Sequence, residues 1–260
     1  MSFVMSEGSK VRELIISTIE GAVESSPDET TYRKPLVGFA RSQDPIWKRL
    51  RLEVEPTHLM PEELLPGAKS AVAFFIPFSK EIVRANREGE AMAPSWGKGY
   101  IELNNLINSI TAEVAEKLKA LGVNSAAQPS THNWNSETLV SRWSHRSIAY
   151  ICGLGSFGLN RLLITDSGCA GRCGSFVIDA ELEPTPRENK ERCLYLRDGS
   201  CKICVNSCPV GALTIEGEGR CADIDKHGKC YPRLLSNEEW SGADACGKCI
   251  CSGPCALKGA

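Results

Sequence analysis

Thirteen of the 260 residues are cysteine, and ten of these follow Glu191. Thiols at that density must pair with one another, bind metal, or lie in a core. The first run is Cys193-x7-Cys201-x2-Cys204-x3-Cys208-Pro209 and the second is Cys246-x2-Cys249-x-Cys251-x3-Cys255, with Cys221 and Cys230 between them. A disulfide framework is disfavoured by the odd cysteine count and by a start, Met1 to Lys10, without a charged-then-apolar export signal. Structural zinc would use two C-x2-C pairs, yet 41 residues separate Cys204 from Cys246, where zinc ribbons hold about 15–20. Zinc would also leave most of these thiols idle. Scattered buried thiols account for Cys152 but not for a group of ten.

Iron–sulfur ligation remains. A cubane needs four converging thiolates, and the C-x2-C-x3-C-P element resembles the bacterial ferredoxin run, in which the cysteine before proline serves the other cluster. Proline fits there because it fixes φ and turns the chain away. Ten cysteines suffice for two [4Fe-4S] clusters with two to spare. Cys169-x3-Cys173, outside the tail, reads as a turn with two incidental thiols.

The length permits one main domain and a small satellite. The longest apolar stretch, Ala71 to Ile76, stops at Pro77, far short of the roughly 18 residues of a membrane span. No span is expected, and with no export signal the expected place is the cytoplasm. A formal net charge of -2 gives no overall basic footprint, so nucleic acid is not an expected partner.

Apolar residues at helical period predict a helix over Lys10 to Val23 and a longer one over Leu103 to Leu121, stopped by Gly122. Leu65-Pro66-Gly67-Ala68 reads as a turn before a buried strand, Ser70 to Ile76. Ser144 to Ile151 looks helical, and Leu162 to Thr165 and Ser175 to Ala180 look like strands. Glu183-Pro-Thr-Pro186 reads as a linker. The expected fold is an α/β or α+β layered domain, residues 1–185, binding cofactor or substrate. A ferredoxin-like two-cluster module, residues 186–260, follows it.

Aromatic and basic residues crowd together in Arg142-Trp-Ser-His-Arg146, ahead of a glycine-rich loop, Gly153-Leu-Gly-Ser-Phe-Gly-Leu-Asn160. Such loops allow close backbone approach to a ligand. Gly153-x-Gly-x-x-Gly158 has dinucleotide-binding spacing, but a helix rather than a strand precedes it, which argues against a nicotinamide site.

Three stretches together, Leu65-Pro-Gly-Ala68, Cys152-Gly-Leu-Gly-Ser-Phe-Gly-Leu-Asn160 and the cysteine tail through Cys246-Gly-Lys-Cys249, resemble the epoxyqueuosine reductase family, cobalamin and iron–sulfur enzymes related to reductive dehalogenases. The resemblance implies one cluster on Cys193, Cys201, Cys204 and Cys255 and another on Cys208, Cys230, Cys246 and Cys249. Asp198 stands where the family has its first ligand, and Cys221 is an alternative to Cys230, whose setting Lys229-Cys230-Tyr231 is closer to the family's. The resemblance also implies a cobalamin pocket floored by Gly153, Gly155, Ser156, Phe157, Gly158 and Asn160.

No carboxylate matches the family's proton donor; His145 and Glu137 are the nearest candidates. Arg142 and Arg146 are candidates for holding an anionic substrate or a corrinoid side chain. The implied activity is an oxygen-sensitive, anaerobe-type oxidoreductase, fed by a ferredoxin- or flavodoxin-like donor and acting on a small molecule or corrinoid. The other reading is an electron carrier or reductive activator for a partner protein. The tRNA-modifying members carry further helical repeats after their clusters, whereas this sequence ends five residues after Cys255, so tRNA is not the expected substrate.

Overall fold

The computed structural model describes residues 6–215, 221–236, 240 and 242–259. In chain order it runs α1 (Glu7–Glu24), β1 (Leu36–Arg41), α2 (Trp47–Glu53), α3 (Pro61–Leu64), β2 (Ser70–Pro77), α4 (Lys80–Arg87), α5 (Pro94–Lys119) and β3 (Ser125–Ala127). A small hairpin, β4 (Trp134–Asn135) and β5 (Val140–Ser141), leads to α6 (His145–Ile151), a second hairpin, β6 (Gly155–Phe157) and β7 (Leu163–Thr165), and β8 (Gly171–Ile178). The cysteine tail forms α7 (Leu194–Asp198), α8 (Ile203–Asn206), β9 (Leu213–Thr214), β10 (Asp223–Ile224), a π-helical turn Lys226–Cys230, α9 (Tyr231–Leu235) and α10 (Lys248–Cys251).

The central sheet has the order β1-β2-β8-β3, and every neighbouring pair is antiparallel. The fold is therefore α+β. β2 is buried along its whole length because both sheet faces are covered. Its alternation divides the core: Val72, Phe74 and Ile76 join Val11, Ile15 and Ile19 of α1 and Leu103, Ile107 and Ile110 of α5, while Ala71, Ala73 and Phe75 join Trp47, Trp143, Ile148 and Ile151 on the opposite face.

The sequence places the start of α5 nine residues too late. Pro94 at the first turn opens the helix, as its fixed φ favours, and two glycines then pass through it. A Cβ at Gly97 would meet the Trp240 ring at 2.9 Å, and one at Gly99 would meet Phe78 at 3.0 Å. Both glycines act as close-packing points here.

The tail packs directly on the main core. Ala243, Ala245, Cys251 and Ala256 belong to the α1–α5 side of the core. The Arg33 guanidinium donates to the carbonyls of Phe78, Ser167 and Leu257, and the Ala170 amide donates to the Ala256 carbonyl at 3.1 Å. No helix among the described residues is long and apolar enough to cross a membrane.

Candidate functional site

Two cavities lie where the tail meets the main domain. The smaller is lined by Cys193, Cys201, Cys204 and Cys255 together with Leu159, Asn160, Ile164, Leu194, Gly253 and Pro254. Four thiols thus converge in largely apolar surroundings. Cys193 reaches in from the N-cap of α7, and the Leu159 amide donates to its sulfur at 3.5 Å. Burial, reinforced by the neighbouring Cys255, Cys193 and Cys201, pushes the Cys204 thiol up to about 12. Four protonated thiols gain little from such a setting; a cationic core that binds them as thiolates removes the repulsion.

Cys208, Cys230, Cys246 and Cys249 all lie on the wall of the larger cavity, whose volume is about 500 Å³. Burial raises the Cys249 thiol first, and then Cys246, Cys230, Cys204 and Cys208 raise it further. Burial raises Cys230 as well, followed by Cys208 and Cys246. The π-helical turn delivers Cys230 because its amide bonds back to Asp225, whose carboxylate accepts from the Gly228 amide. The Ala212 amide donates to the Cys208 sulfur at 3.2 Å.

Asn160 connects the two groups. It is 4% exposed and lines both cavities. Its Nδ2 donates to the Cys249 carbonyl at 3.1 Å, and its Oδ1 accepts from the Leu162 amide at 3.2 Å. Replacing Asn160 with Ala removes the contact to both half-buried partners and should cost about 1 kcal/mol, read as a lowered denaturant midpoint with an unchanged slope.

Cys221 is exposed and lines neither cavity, whereas Cys251 is fully buried in the main core with Asn86 Nδ2 at 3.5 Å from its sulfur. Cys152 is also fully buried, its thiol directed to the Ala71 carbonyl. Cys169 is not incidental to a turn. Its amide donates to the Cys255 carbonyl at 2.8 Å, and its thiol faces that of Cys255, lowering the latter's pKa and raising its own. Cys173 lies within β8 rather than a turn, and burial pushes its thiol up to about 12.

The remaining wall of the large cavity is aromatic and basic. Tyr100, Trp134, Trp143 and Tyr231 face it, as do Arg146, Arg172, Lys226, Arg233 and Lys248. Trp134 meets Tyr231 edge-on at 5.4 Å, which closes the β4–β5 hairpin against α9. Arg172 stacks over Tyr100 at 4.4 Å. Arg146 is exposed by area, yet burial lowers its pKa; its exposed surface belongs to the cavity it lines.

No family model matches the chain. A curated epoxyqueuosine reductase of Bacillus cereus is 27% identical over 165 residues, 61% of this chain and 39% of that protein. The chain resembles the epoxyqueuosine reductases. It spans about two fifths of the length of the curated relatives it matches. Among solved structures, a catabolic reductive dehalogenase superposes with a TM-score of 0.56 at 16% identity, over 91% of this chain and 32% of that one. An epoxyqueuosine reductase holding an epoxyqueuosine-modified tRNA stem loop superposes with a TM-score of 0.50 at 19% identity, over 78% of this chain and 53% of that one. A fold of this kind can therefore serve nucleic acid, and the exclusion of nucleic acid drawn from overall charge does not hold.

Set against the epoxyqueuosine reductase pattern, several expected site residues lie elsewhere. Gly153, Gly155, Ser156, Phe157 and Gly158 line neither cavity. Their close backbone approach is to the chain itself: a Cβ at Gly153 would meet the Pro186 carbonyl at 2.9 Å, and one at Gly155 the Ile164 carbonyl at 2.2 Å. Ser156 Oγ accepts from the Arg192 amide, Phe157 packs on Tyr150, and the Gly158 amide bonds to the Leu162 carbonyl. Asn160 alone of that group faces the cavities. Asp198 is exposed beside Arg197 and accepts from the Ser200 amide, outside the four-thiol cavity.

Arg142 also lines neither cavity; it donates to the Thr57 carbonyl at 3.0 Å. Glu137 sits exposed in the β4–β5 loop, away from both. His145 does reach the large cavity, but both its nitrogens are engaged. Nε2 lies 2.9 Å from the Pro129 carbonyl, so that nitrogen carries the proton, and Nδ1 accepts from Ser175 Oγ at 2.7 Å. Ser175 Oγ in turn accepts from Trp143 Nε1 at 3.0 Å.

Burial lowers the His145 pKa to about 4, so the ring is neutral near pH 7 and serves the packing of α6 rather than delivering a proton as imidazolium. A depressed folded-state pKa gives stability that is complete above the unfolded value near 6.5 and lost as pH falls toward 4. Stability should drop by on the order of 2 kcal/mol between pH 7 and pH 5. Denaturant midpoints of the wild type and of His145→Gln at the two pH values check this: the variant should lack that part of the decline.

Proposed function

We propose that the chain is an iron–sulfur oxidoreductase whose tail holds two cubane clusters beside a ligand cavity. The carrying observation is that Cys193, Cys201, Cys204 and Cys255 line one small cavity while Cys208, Cys230, Cys246 and Cys249 share the wall of the next. The amides of Leu159 and Ala212 aimed at cysteine sulfurs are the kind of contact that sets a cluster's potential. Among the described residues, no three His, Cys, Asp or Glu side chains converge closely enough for a single metal ion.

In this reading residues 1–185 and 186–260 share the ligand cavity's wall and residues 186–260 hold the clusters. The clusters would supply low-potential electrons, and a corrinoid, the group the family resemblance implies, would supply the reductive chemistry at the substrate. Trp134, Trp143 and Tyr231 would wall a planar group, Asn160 fixes the cavity floor against Cys249, and Arg146 and Arg172 hold negative charge. The modified nucleoside of a tRNA stem loop, named for one structural relative, is a substrate to test, alongside small molecules.

Iron and acid-labile sulfide analysis of anaerobically purified, reconstituted protein tests the reading. About eight irons per chain are expected for two cubanes. Stoichiometric zinc without sulfide would overturn it.

A further inference from the structure

The charge on the large cavity's wall is unbalanced. Among the described residues, Arg146, Arg172, Lys226, Arg233 and Lys248 face it, against the single carboxylate of Asp244, which itself lies 4.0 Å from His132. Lys248 is satisfied by the Asn86 and Glu88 carbonyls at 2.9 and 2.7 Å. Arg146, Arg172 and Lys226 take part in none of the ion pairs among the described residues. Among the described residues Arg146 donates only to the Arg161 carbonyl, at 3.3 Å. The Nε–H of Arg233, on the same wall, is buried with no acceptor among the described residues.

Cations collected in a sheltered cavity without partners repel one another and lose hydration. Part of the counter-charge comes from the second cysteine set. A cubane with four thiolates carries about two negative charges, which leaves about two positive charges over. The aromatic surface nearby, the Trp134–Tyr231 pair, suits a planar body next to that excess charge.

We propose that this cavity binds the oxyanion group, phosphate or carboxylate, of a planar organic ligand, with Arg146 and Arg172 as the main binders and Lys226 beside them. The inference rests on the preceding reading for what the ligand is used for, but not for the binding itself. Two sources share this chemistry: the phosphodiester of a complete corrinoid and the anionic group of a free substrate.

Equilibrium dialysis of the whole chain against inorganic phosphate, benzoate, hydroxocobalamin and cobinamide, which lacks the phosphodiester, distinguishes them. Arg146→Gln/Arg172→Gln should weaken phosphate and benzoate binding at least tenfold, the Arg146→Lys/Arg172→Lys pair should restore part of it, and the exposed Lys190→Gln should leave it unchanged. Iron content and circular dichroism matched to the wild type show that the variants fold. An arginine-dependent preference for hydroxocobalamin over cobinamide assigns the site to the corrinoid; arginine-dependent benzoate binding that persists beside bound corrinoid assigns it to a substrate. Equal binding by the wild type and the Gln pair, or no binding of any probe, overturns the proposal. If iron is absent and phosphate binding still depends on the arginines, the anion site stands while the iron–sulfur reading falls.

Discussion

Replacing Cys204 with Ala should take reconstituted protein from about eight irons per chain to about four, with Cys249→Ala removing the other four and Cys221→Ala removing none. Cys204 is 8% exposed and shares its cavity with three other thiols. A missing sulfur there cannot be replaced by water without wetting a wall formed by Leu159, Ile164 and Leu194. Cys221, in contrast, is exposed and outside both cavities. Cys251→Ala is the sharper control, since that thiol is as buried as any ligand yet sits in the main core with Asn86; it should retain all its iron and lose only modest stability. Colorimetric iron, sulfide and the visible absorbance of each variant give the answer. Full iron in Cys204→Ala, or loss in Cys221→Ala, would reject the ligand sets.

The cysteine runs were legible because short spacing is a local sequence property, yet the first run divides between two places: Cys201 and Cys204 line the small cavity while Cys208, before Pro209, lines the large one. β2 was legible for a similar reason. Ala71 to Ile76 is an unbroken apolar run, and the structure extends the predicted strand, Ser70 to Ile76, only to Pro77. The pairing of β2 with β8, about a hundred residues apart in sequence, has no local signature, so the antiparallel order could not be read. The large cavity was hidden for the same reason. Arg172 begins a strand, Tyr100 lies in a helix read as starting at Leu103, and Lys226 and Tyr231 sit in the tail; only the fold brings them together.

The glycine loop shows the opposite failure. Its composition was read as close backbone approach to a ligand, but composition cannot say what is approached. The partners are Thr185–Pro186 and Ile164–Thr165 of the same chain, so the loop acts as a packing device that sets where Leu159 and Asn160 stand.

That role makes Gly155→Ala a severe substitution. Gly155 pairs with Thr165 across the β6–β7 hairpin, and a Cβ there would fall 2.2 Å from the Ile164 carbonyl and 2.8 Å from its carbon. These are backbone atoms, so no side chain can swing aside; the hairpin must open. Overpacking typically costs 1–3 kcal/mol, and a clash with backbone in a paired strand should reach about 3 kcal/mol. Gly67→Ala separates this effect from loss of glycine as such. Gly67 has φ of +80° but nothing within 4 Å of its added Cβ, so its cost is conformational only, about 1 kcal/mol. Opening the hairpin also moves Ile164, whose side chain lines the four-thiol cavity, and loosens Leu159 and Asn160 at the hairpin's other end. Gly155→Ala should therefore lose iron from the Cys193 set faster under mild chelation than the wild type, whereas Gly67→Ala should not. If Gly155→Ala unfolds at the wild-type denaturant concentration with unchanged iron retention, the hairpin does not position the site.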